Sequence, residues 1–213
     1  KREKRIVVTG CLVERYKSAL QGLFPEVDLF VGRNFYSHIE ELIDNKGYFL
    51  QEGTFSETFP RKVLTAIPTA YLKIQEGCDN RCTYCTVPDI RGPLRSRTAR
   101  DIKEELHWLI DSGYKEINII GQDITSYGRH SGVSLAELLK DLLRAEGDYY
   151  LRLLYMHPKA INQALIKIVA EEERIINYMD IPIQHCEDRI LALMGRGYDK
   201  DELETLLGLV RER

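Results

Sequence analysis

The order in which strands and helices alternate restricts the folds available to this chain. From residue 70 onward, apolar β-type segments and amphipathic helical segments alternate four times. Parallel strands joined by helices need right-handed crossovers, so this order predicts a parallel sheet covered by helices. Four such units cannot close a barrel of eight, and we expect an open, partial (β/α) barrel. The predicted strands are 70–75, 116–120, 149–156 and 177–183, and the predicted helices are 98–112, 134–146, 161–173, 187–194 and 199 to the end.

The first part of the chain predicts a smaller α/β domain. Apolar strands at 5–10 and 27–32 alternate with helical patterns from 11 to about 23 and at 35–44. Residues 45–69 contain Gly and Pro without periodicity, which indicates a linker that can include a short hairpin.

We place a domain boundary near residue 60 and expect one domain over 1–60 and a second over 61–213. The sequence begins at Lys1 rather than methionine, and it ends in a predicted helix at Arg213 with no strand after it. We therefore expect both domains to be parts of a longer protein.

Three of the five cysteines fall within eight residues, on the loop after the strand at 70–75. Cys78, Cys82 and Cys85 are spaced C-x3-C-x2-C, and three thiolates on one loop can hold three corners of a cubane iron–sulfur cluster. The fourth iron then has no protein ligand, and an open metal position is typical of catalytic sites. The loop also lies where a parallel barrel places its active site, at the carboxyl end of a strand.

Two other interpretations of these cysteines stay open at this point. A structural zinc site could recruit Cys186 or a histidine as its fourth ligand, although such sites usually show two cysteine pairs. The three cysteines could also be unrelated. An odd cysteine count does not suit a disulfide framework and indicates a reducing compartment, so we expect a cytoplasmic protein.

The distribution of charge and hydropathy excludes some classes of protein. The net charge of −3 argues against a dominant nucleic-acid-binding surface. Residues 61–100 are locally basic, with eight Lys and Arg against three acids. Such a stretch suits an anionic cofactor, a nucleic acid or an acidic protein segment, or it is simply a solvated loop. No apolar run approaches the length of a transmembrane helix, so no membrane partner is expected.

The cysteine segment and two later strand ends resemble a known enzyme family. C-x3-C-x-aromatic-C, with Tyr84 as the aromatic residue, is the signature of the radical S-adenosylmethionine superfamily. The segments YLKIQEGCDNRCTYCTVPDIRGPLRSR, GQDITSYG and DIPIQH-x3-RIL-x2-M are similar to its methylthiotransferases, over nearly all 213 residues. They most resemble the branch that modifies an aspartate of a small-subunit ribosomal protein.

The tRNA-modifying branch is the alternative, and its members usually have GQN and Q-S-G at the two later strand ends. This chain has Gly121-Gln122-Asp123 and Gln184-His185-Cys186 at those positions. Arg91, Arg95 and Arg97 do not separate the branches. Guanidinium groups bind carboxylates or phosphates, and they also form salt bridges with neighbouring helices.

The resemblance implies a specific chemistry and two cofactors, a 4Fe-4S cluster and S-adenosyl-L-methionine. The open iron would bind the amino and carboxylate groups of S-adenosylmethionine, and reductive cleavage would release a 5′-deoxyadenosyl radical. That radical would abstract hydrogen from an unactivated carbon, after which sulfur and a methyl group are added. The cofactors perform the difficult steps, and the protein positions and shields them.

The resemblance also implies roles for particular residues. Cys78, Cys82 and Cys85 would hold the radical cluster, and no further catalytic residue is assigned. The cofactor-binding residues would be Tyr84, Gly121, Gln122, Asp123 and Gln184. Gln122 or Asp123 would accept hydrogen bonds from the ammonium of the methionine moiety, although Asp123 could instead cap the next segment. His185 would line the same pocket or serve a structural role.

Two cysteines lie outside the triad. Cys11 resembles the third of three ligands for a second cluster in the family's N-terminal domain, and its two partners would precede Lys1. On base rates a lone cysteine after a strand is a small buried apolar residue. Cys186 matches no ligand position, and we interpret it as structural.

The partners follow from the resemblance as well. We expect a ribosomal protein or ribosomal particle as substrate, tRNA under the alternative, and an electron donor such as flavodoxin or ferredoxin. The sulfur source is left open. A different class of function, a zinc-stabilised binding module without enzymatic activity, is the remote alternative.

Overall fold

The computed structural model describes residues 4–49 and 61–213. The chain forms two compact units, divided between Arg61 and Lys62. Within the described residues, no helix has both the length and the apolar character needed to cross a bilayer.

The first unit contains a small parallel sheet. Strands β1 (Val7–Thr9), β2 (Leu29–Val31) and β3 (Gly47–Phe49) pair in that order. Both predicted strands are present but shorter than expected, and β3 lies in the predicted linker, so that part of the linker prediction is wrong. Parallel pairing with β2 stabilises Gly47–Phe49 although its sequence shows no alternation. The predicted linker between 50 and 60 lies outside the described residues.

The helices of the first unit are short. The predicted helix from 11 to 23 is divided into α1 (Cys11–Tyr16) and α2 (Ala19–Leu23), because Lys17 adopts a left-handed conformation with φ of 50°. In the second predicted helix, a 3-10 turn over Arg33–His38 precedes α3 (Ile39–Leu42). The core of this unit is built on Val13, Leu20 and Phe30.

The second unit is built on a four-stranded parallel sheet. Its strands pair in the order β4 (Thr69–Lys73), β7 (Glu116–Ile120), β8 (Tyr150–Leu153) and β9 (Ile175–Met179). Two further short strands, β5 (Gln75–Glu76) and β6 (Arg95–Ser96), form a separate antiparallel pair. All four predicted β-α units are present, which confirms the predicted fold class.

One large apolar core lies between this sheet and three helices, α5 (Ala99–Asp111), α6 (Leu135–Leu142) and α7 (Gln163–Glu171). Helices α8 (Asp188–Leu193) and α9 (Lys200–Arg211) contribute to a separate cluster around Leu191 and Leu203, and α4 (Val87–Arg91) has no buried residue. The predicted caps are confirmed: Thr98 accepts from the Asp101 amide, and Ser134 and Glu137 form a capping box. These side chains satisfy backbone donors that a helix start leaves without partners.

The register of the sheet brings its carboxyl ends to one edge. Lys73 pairs with Ile120, and Leu153 pairs with both Ile119 and Met179. The segments that leave this edge are therefore neighbours in space, although they are far apart in the sequence. This edge is where side chains from all four strands can meet.

Candidate active site

The cysteine loop is closed at its base by the short β5–β6 ladder, in which Gln75 pairs with Ser96. Above that ladder, the Cys78 amide donates to the Gly92 carbonyl at 3.2 Å, and Asp79 Oδ1 accepts from the Leu94 amide at 2.9 Å. Gly77 is required because its φ is +77° and an added Cβ would lie 2.1 Å from the Pro93 oxygen. These contacts, and the left-handed conformation that glycine allows at position 77, fix the path of the loop.

Cys78, Cys82 and Cys85 line one cavity of about 170 Å³. All three are partly buried. Burial raises the pKa of the Cys78 thiol, and the negative charge of Asp123 adds to this effect. The Val87 amide donates to Cys85 Sγ at 3.4 Å, so the loop supplies a backbone donor to one of the sulfurs.

The turn after β7 forms a second wall of this cavity. Gly121 packs closely against Gln75, since an added Cβ would lie 2.7 Å from Gln75 Cγ. Gln122 lines the cavity, and its buried Oε1 atom has no hydrogen-bond partner among residues 4–49 and 61–213. A buried acceptor without a partner is costly, so this atom is suited to a donor on a bound molecule.

The Asp123 side chain is buried and fully engaged with protein donors. Its Oδ2 accepts from Asn80 Nδ2 at 2.7 Å and from Ser126 Oγ at 2.6 Å. Its Oδ1 accepts from Thr125 Oγ1 and, at 3.4 Å, from the His157 amide. The carboxylate therefore joins the cysteine loop to the ends of β7 and β8, which favours a structural role over direct contact with a ligand.

The ends of β8 and β9 complete the cavity. Tyr155 and Gln184 both line it, and both adopt left-handed backbone conformations with φ of 64° and 68°. Such strain in residues other than glycine concentrates at functional sites. Buried His157 also lines the cavity. Its pKa falls to about 4 because burial disfavours the charged ring and the nearby Arg196 repels it.

Several residues of this cavity were missed by sequence reasoning, and Arg196 is the most informative of them. It is buried, and its guanidinium donates to Cys82 Sγ at 3.3 Å and to Tyr84 Oη at 3.2 Å. Only the flanking Gly195 and Gly197 marked its segment as a turn, and nothing distinguished its side chain from an exposed arginine. The other missed lining residues are Asn80, Val87, Tyr155, His157 and Pro182.

The remaining predicted residues lie elsewhere. His185 is exposed, and its Nδ1 accepts from the Glu187 amide at 3.0 Å. Cys186 is exposed, so it does not support the core as a structural cysteine would. Cys11 is also exposed, at the start of α1, so it is not the buried apolar residue that base rates favour.

Two of the three loop arginines are engaged in internal ion pairs. Arg97 lies 2.6 Å from Glu105, which is almost fully buried in α5, and it also donates to the Lys73 carbonyl at 2.7 Å. Arg91 lies 3.1 Å from the buried carboxylate of Glu76. These contacts correspond to the salt-bridge interpretation of the basic stretch, because the guanidiniums neutralise buried acids of the same unit.

The described residues contain no group of three or more His, Cys, Asp or Glu side chains arranged to hold a single metal ion.

Comparison with known proteins identifies the class of this chain. The sequence profile described as the Radical SAM superfamily matches residues 72–213, which include the whole cysteine loop and all of the lining residues. The chain belongs to the Radical SAM superfamily. A solved radical S-adenosylmethionine methyltransferase, TsrM from Kitasatospora setae, has the same fold, with a TM-score of 0.67 and 14% identity over 98% of this chain and 48% of that chain.

Closer relatives carry a more specific name. The chain is 44% identical to the ribosomal protein uS12 methylthiotransferase RimO of Desulfotalea psychrophila over 98% of its length. It is 41% identical to the protein of the same name from Dictyoglomus thermophilum, again over 98% of its length. In both comparisons the chain spans about half of the relative, 49%.

Proposed function

We propose that this chain is the central part of a methylthiotransferase that adds sulfur and a methyl group to an aspartate of ribosomal protein uS12. One observation carries this proposal: identity of 44% to a uS12 methylthiotransferase extends over 98% of the chain, through every strand end that lines the cavity. The names of these relatives favour a ribosomal protein over tRNA as the substrate. An enzyme is also favoured over a zinc-stabilised binding module.

The residues present fit the cofactors of the superfamily. Cys78, Cys82 and Cys85 would hold a 4Fe-4S cluster, because their side chains share one cavity. S-adenosyl-L-methionine would bind beside it, where the Gln122 Oε1 atom lacks a donor within the described part of the chain. When bound, this pair supplies a carbon radical strong enough to take hydrogen from an unactivated C–H bond.

The protein side chains would bind and orient. Gln122 would accept from the ammonium of the methionine moiety, and Gly121 would let the turn approach closely. Gln184 and Tyr84 would flank the same ligand from the β9 end and from the loop. Asp123 would act indirectly, by holding Asn80 and the cysteine loop at a fixed distance from β7.

The two units would correspond to two domains of the family. Residues 1–60 would belong to the N-terminal methylthiotransferase domain and residues 61–213 to the radical core. Cys11 would bind a second cluster, together with cysteines that lie outside this chain. Cys11 is exposed to solvent at the start of α1, two residues after β1.

The partners follow from the reaction. A flavodoxin or ferredoxin would supply the electron, and a ribosomal protein or ribosomal particle would be modified in the cytoplasm. Because Arg91 and Arg97 already neutralise Glu76 and Glu105, we assign neither arginine to the substrate carboxylate.

Mass spectrometry of the two candidate substrates tests the proposal. The full-length protein, with its clusters rebuilt anaerobically, is given S-adenosylmethionine, sulfide, a reductant and either a uS12 loop peptide or isopentenylated tRNA. Replacement of H by SCH3 should add about 46 mass units to the aspartate peptide, through the radical chemistry of the cofactors. Modification of tRNA alone would contradict the substrate while leaving the radical mechanism in place.

A further inference from the structure

Arg196 occupies an unusual position for a charged residue. It lies in the turn between α8 and α9, and it is only 5% exposed. The turn packs directly on the cysteine loop, since a Cβ on Gly195 would lie 2.9 Å from the Arg81 carbonyl. The Thr83 amide also donates to the Met194 carbonyl at 3.0 Å, which joins the two segments.

The guanidinium makes four hydrogen bonds, which connect two walls of the cavity. Nη1 donates to Cys82 Sγ at 3.3 Å and to Tyr84 Oη at 3.2 Å, both on the cysteine loop. Nη2 donates to the Pro182 carbonyl at 2.9 Å, and Nε donates to Tyr198 Oη at 2.9 Å. Tyr198 in turn donates to the Ile183 carbonyl at 2.7 Å, so both remaining bonds lead to the segment after β9.

Within the described residues, no carboxylate compensates the charge of this guanidinium. Arg196 takes part in none of their ion pairs, and its acceptors are a thiol, two phenols and a carbonyl. Burial of a cation without an anionic partner is expensive. We therefore expect an anionic group beside Cys82 to compensate the charge of Arg196. Three thiolates bound to iron would supply that negative charge.

We propose that Arg196 is a positioning residue for the cluster: it donates to the Cys82 sulfur, compensates the negative charge of the loaded site, and holds Cys82 and Tyr84 against the segment after β9. This inference rests on the proposed function, because it requires a cluster on the cysteine loop. Hydrogen bonds to ligand sulfurs and local charge help to set the reduction potential of such clusters. A cation at Cys82 stabilises the more negative, reduced form and raises that potential.

The test uses two variants of Arg196 and a matched control in the full-length protein. Arg196→Met removes the charge and the donors, whereas Arg196→Lys keeps the charge but cannot make all four bonds. Arg174→Met is the control, because Arg174 also donates to backbone carbonyls, including Ala145 O at 2.7 Å, and stacks on a tyrosine at 4.9 Å. None of its contacts involves a residue that lines the cavity.

Two measurements are made on each protein. A redox titration followed by electron paramagnetic resonance gives the potential of the cluster, whose signal is assigned by its loss in Cys82→Ala. Amide hydrogen exchange of residues 78–85 in the cluster-free protein reports how firmly the loop is held.

We expect Arg196→Met to lower the potential and to accelerate exchange across 78–85. Arg196→Lys should recover part of the potential but not the protection, and Arg174→Met should change neither. A wild-type potential together with wild-type exchange in Arg196→Met would overturn the proposal, and if that variant does not fold, the same result in Arg196→Lys would do so. A full-length protein whose cluster does not depend on Cys82 would instead contradict the proposed function.

Discussion

At the scale of single residues, neighbours in the sequence have separate roles at this site. Gln122 presents an acceptor without a partner in the described part of the chain, whereas the next residue, Asp123, has all of its acceptor positions engaged. Two residues of the same type can also differ in role. Cys82 lines the cavity beside the buried Arg196, whereas Cys186 is exposed to solvent. Residue type alone does not separate these roles, and each of them leads to a prediction.

The first prediction concerns the cluster ligands. Replacing Cys78, Cys82 or Cys85 by Ala should remove one cluster from the full-length protein, because an iron without its thiolate is not retained. Cys186→Ala is the control and should keep the iron, since its thiol is exposed. Iron analysis and visible absorbance after anaerobic reconstitution measure the effect. Loss of iron in Cys186→Ala would show that the ligand assignment is wrong.

The second prediction concerns Gln122. Gln122→Met removes an acceptor that serves no described residue, so folding stability should change little. The affinity for S-adenosylmethionine should fall roughly tenfold, about the contribution of one hydrogen bond to a charged donor. Anaerobic calorimetry measures the affinity, and Gln163→Met, at an exposed glutamine of α7, is the control. Unchanged affinity in Gln122→Met would remove Gln122 from the cofactor site.

The third prediction concerns pH. The folded-state pKa of His157 is lowered to about 4 by burial and by Arg196, from an ordinary value of 6.5. Between about pH 4 and pH 6.5, the His157 side chain is therefore protonated in the unfolded chain but neutral in the folded chain. The free energy of unfolding should fall by on the order of 1–3 kcal/mol as the pH drops from about 6.5 to about 4.

Urea unfolding of the cluster-free protein at a series of pH values measures this effect. His157→Gln should flatten the profile within that window, since glutamine does not titrate. If the variant and the wild type keep the same slope between these pH values, then His157 is not the source of the dependence.

At the scale of elements, the cysteine loop is held from three directions. The β5–β6 ladder closes its base, the turn with Gly195 and Arg196 packs on its outer part, and Asn80 ties it to Asp123. The loop thus gains its shape from the elements around it. A site held by rigid neighbours keeps its geometry better than a site on an isolated loop.

Asp123→Asn tests this arrangement and is the fourth prediction. An amide nitrogen would face donors at Asn80, Thr125 or Ser126, so at least one bond becomes a clash of donors. We expect a loss of about 2–3 kcal/mol in the free energy of unfolding. Asp141→Asn, at a surface carboxylate that pairs with Lys103 and Arg144, should cost less than about 1 kcal/mol.

A double-mutant cycle with Asn80→Ala assigns the loss to the loop. If Asp123 acts through Asn80, the two changes should be coupled by more than about 0.5 kcal/mol. Additive effects measured by denaturant unfolding would mean that Asp123 serves only its own turn.

At the scale of the whole molecule, parallel pairing is what makes the site. The order β4-β7-β8-β9 places four consecutive strand ends at one edge of the second unit. Residues from 78 to 196 meet there around a cavity of about 170 Å³. Parallel pairing allows this convergence because a helix between consecutive strands returns the chain to the opposite edge of the sheet.

Strongly periodic segments could be predicted from the sequence because their signals are local. The strand predicted at 116–120 has the same bounds in the structure, and Thr98 and Ser134 cap their helices as predicted. Weakly patterned segments could not be predicted in this way. Gly47–Phe49 is a strand only because it pairs with β2, and the helix predicted from 11 to 23 breaks at Lys17.

The sequence by itself determined the class of fold, the cysteine triad and the succession of strands around it, since periodicity, spacing and turn residues are properties of short segments. Three of those strands end two to four residues earlier than predicted, at Lys73, Leu153 and Met179. Only the tertiary structure decided which polar side chains form hydrogen bonds within the protein and which have atoms available for a ligand. It engages Asp123 with four donors, leaves the Gln122 oxygen unpaired within the described residues, and buries Arg196 against Cys82. These contacts join residues up to 114 positions apart, and burial and hydrogen bonding at such separations depend on packing rather than on local pattern.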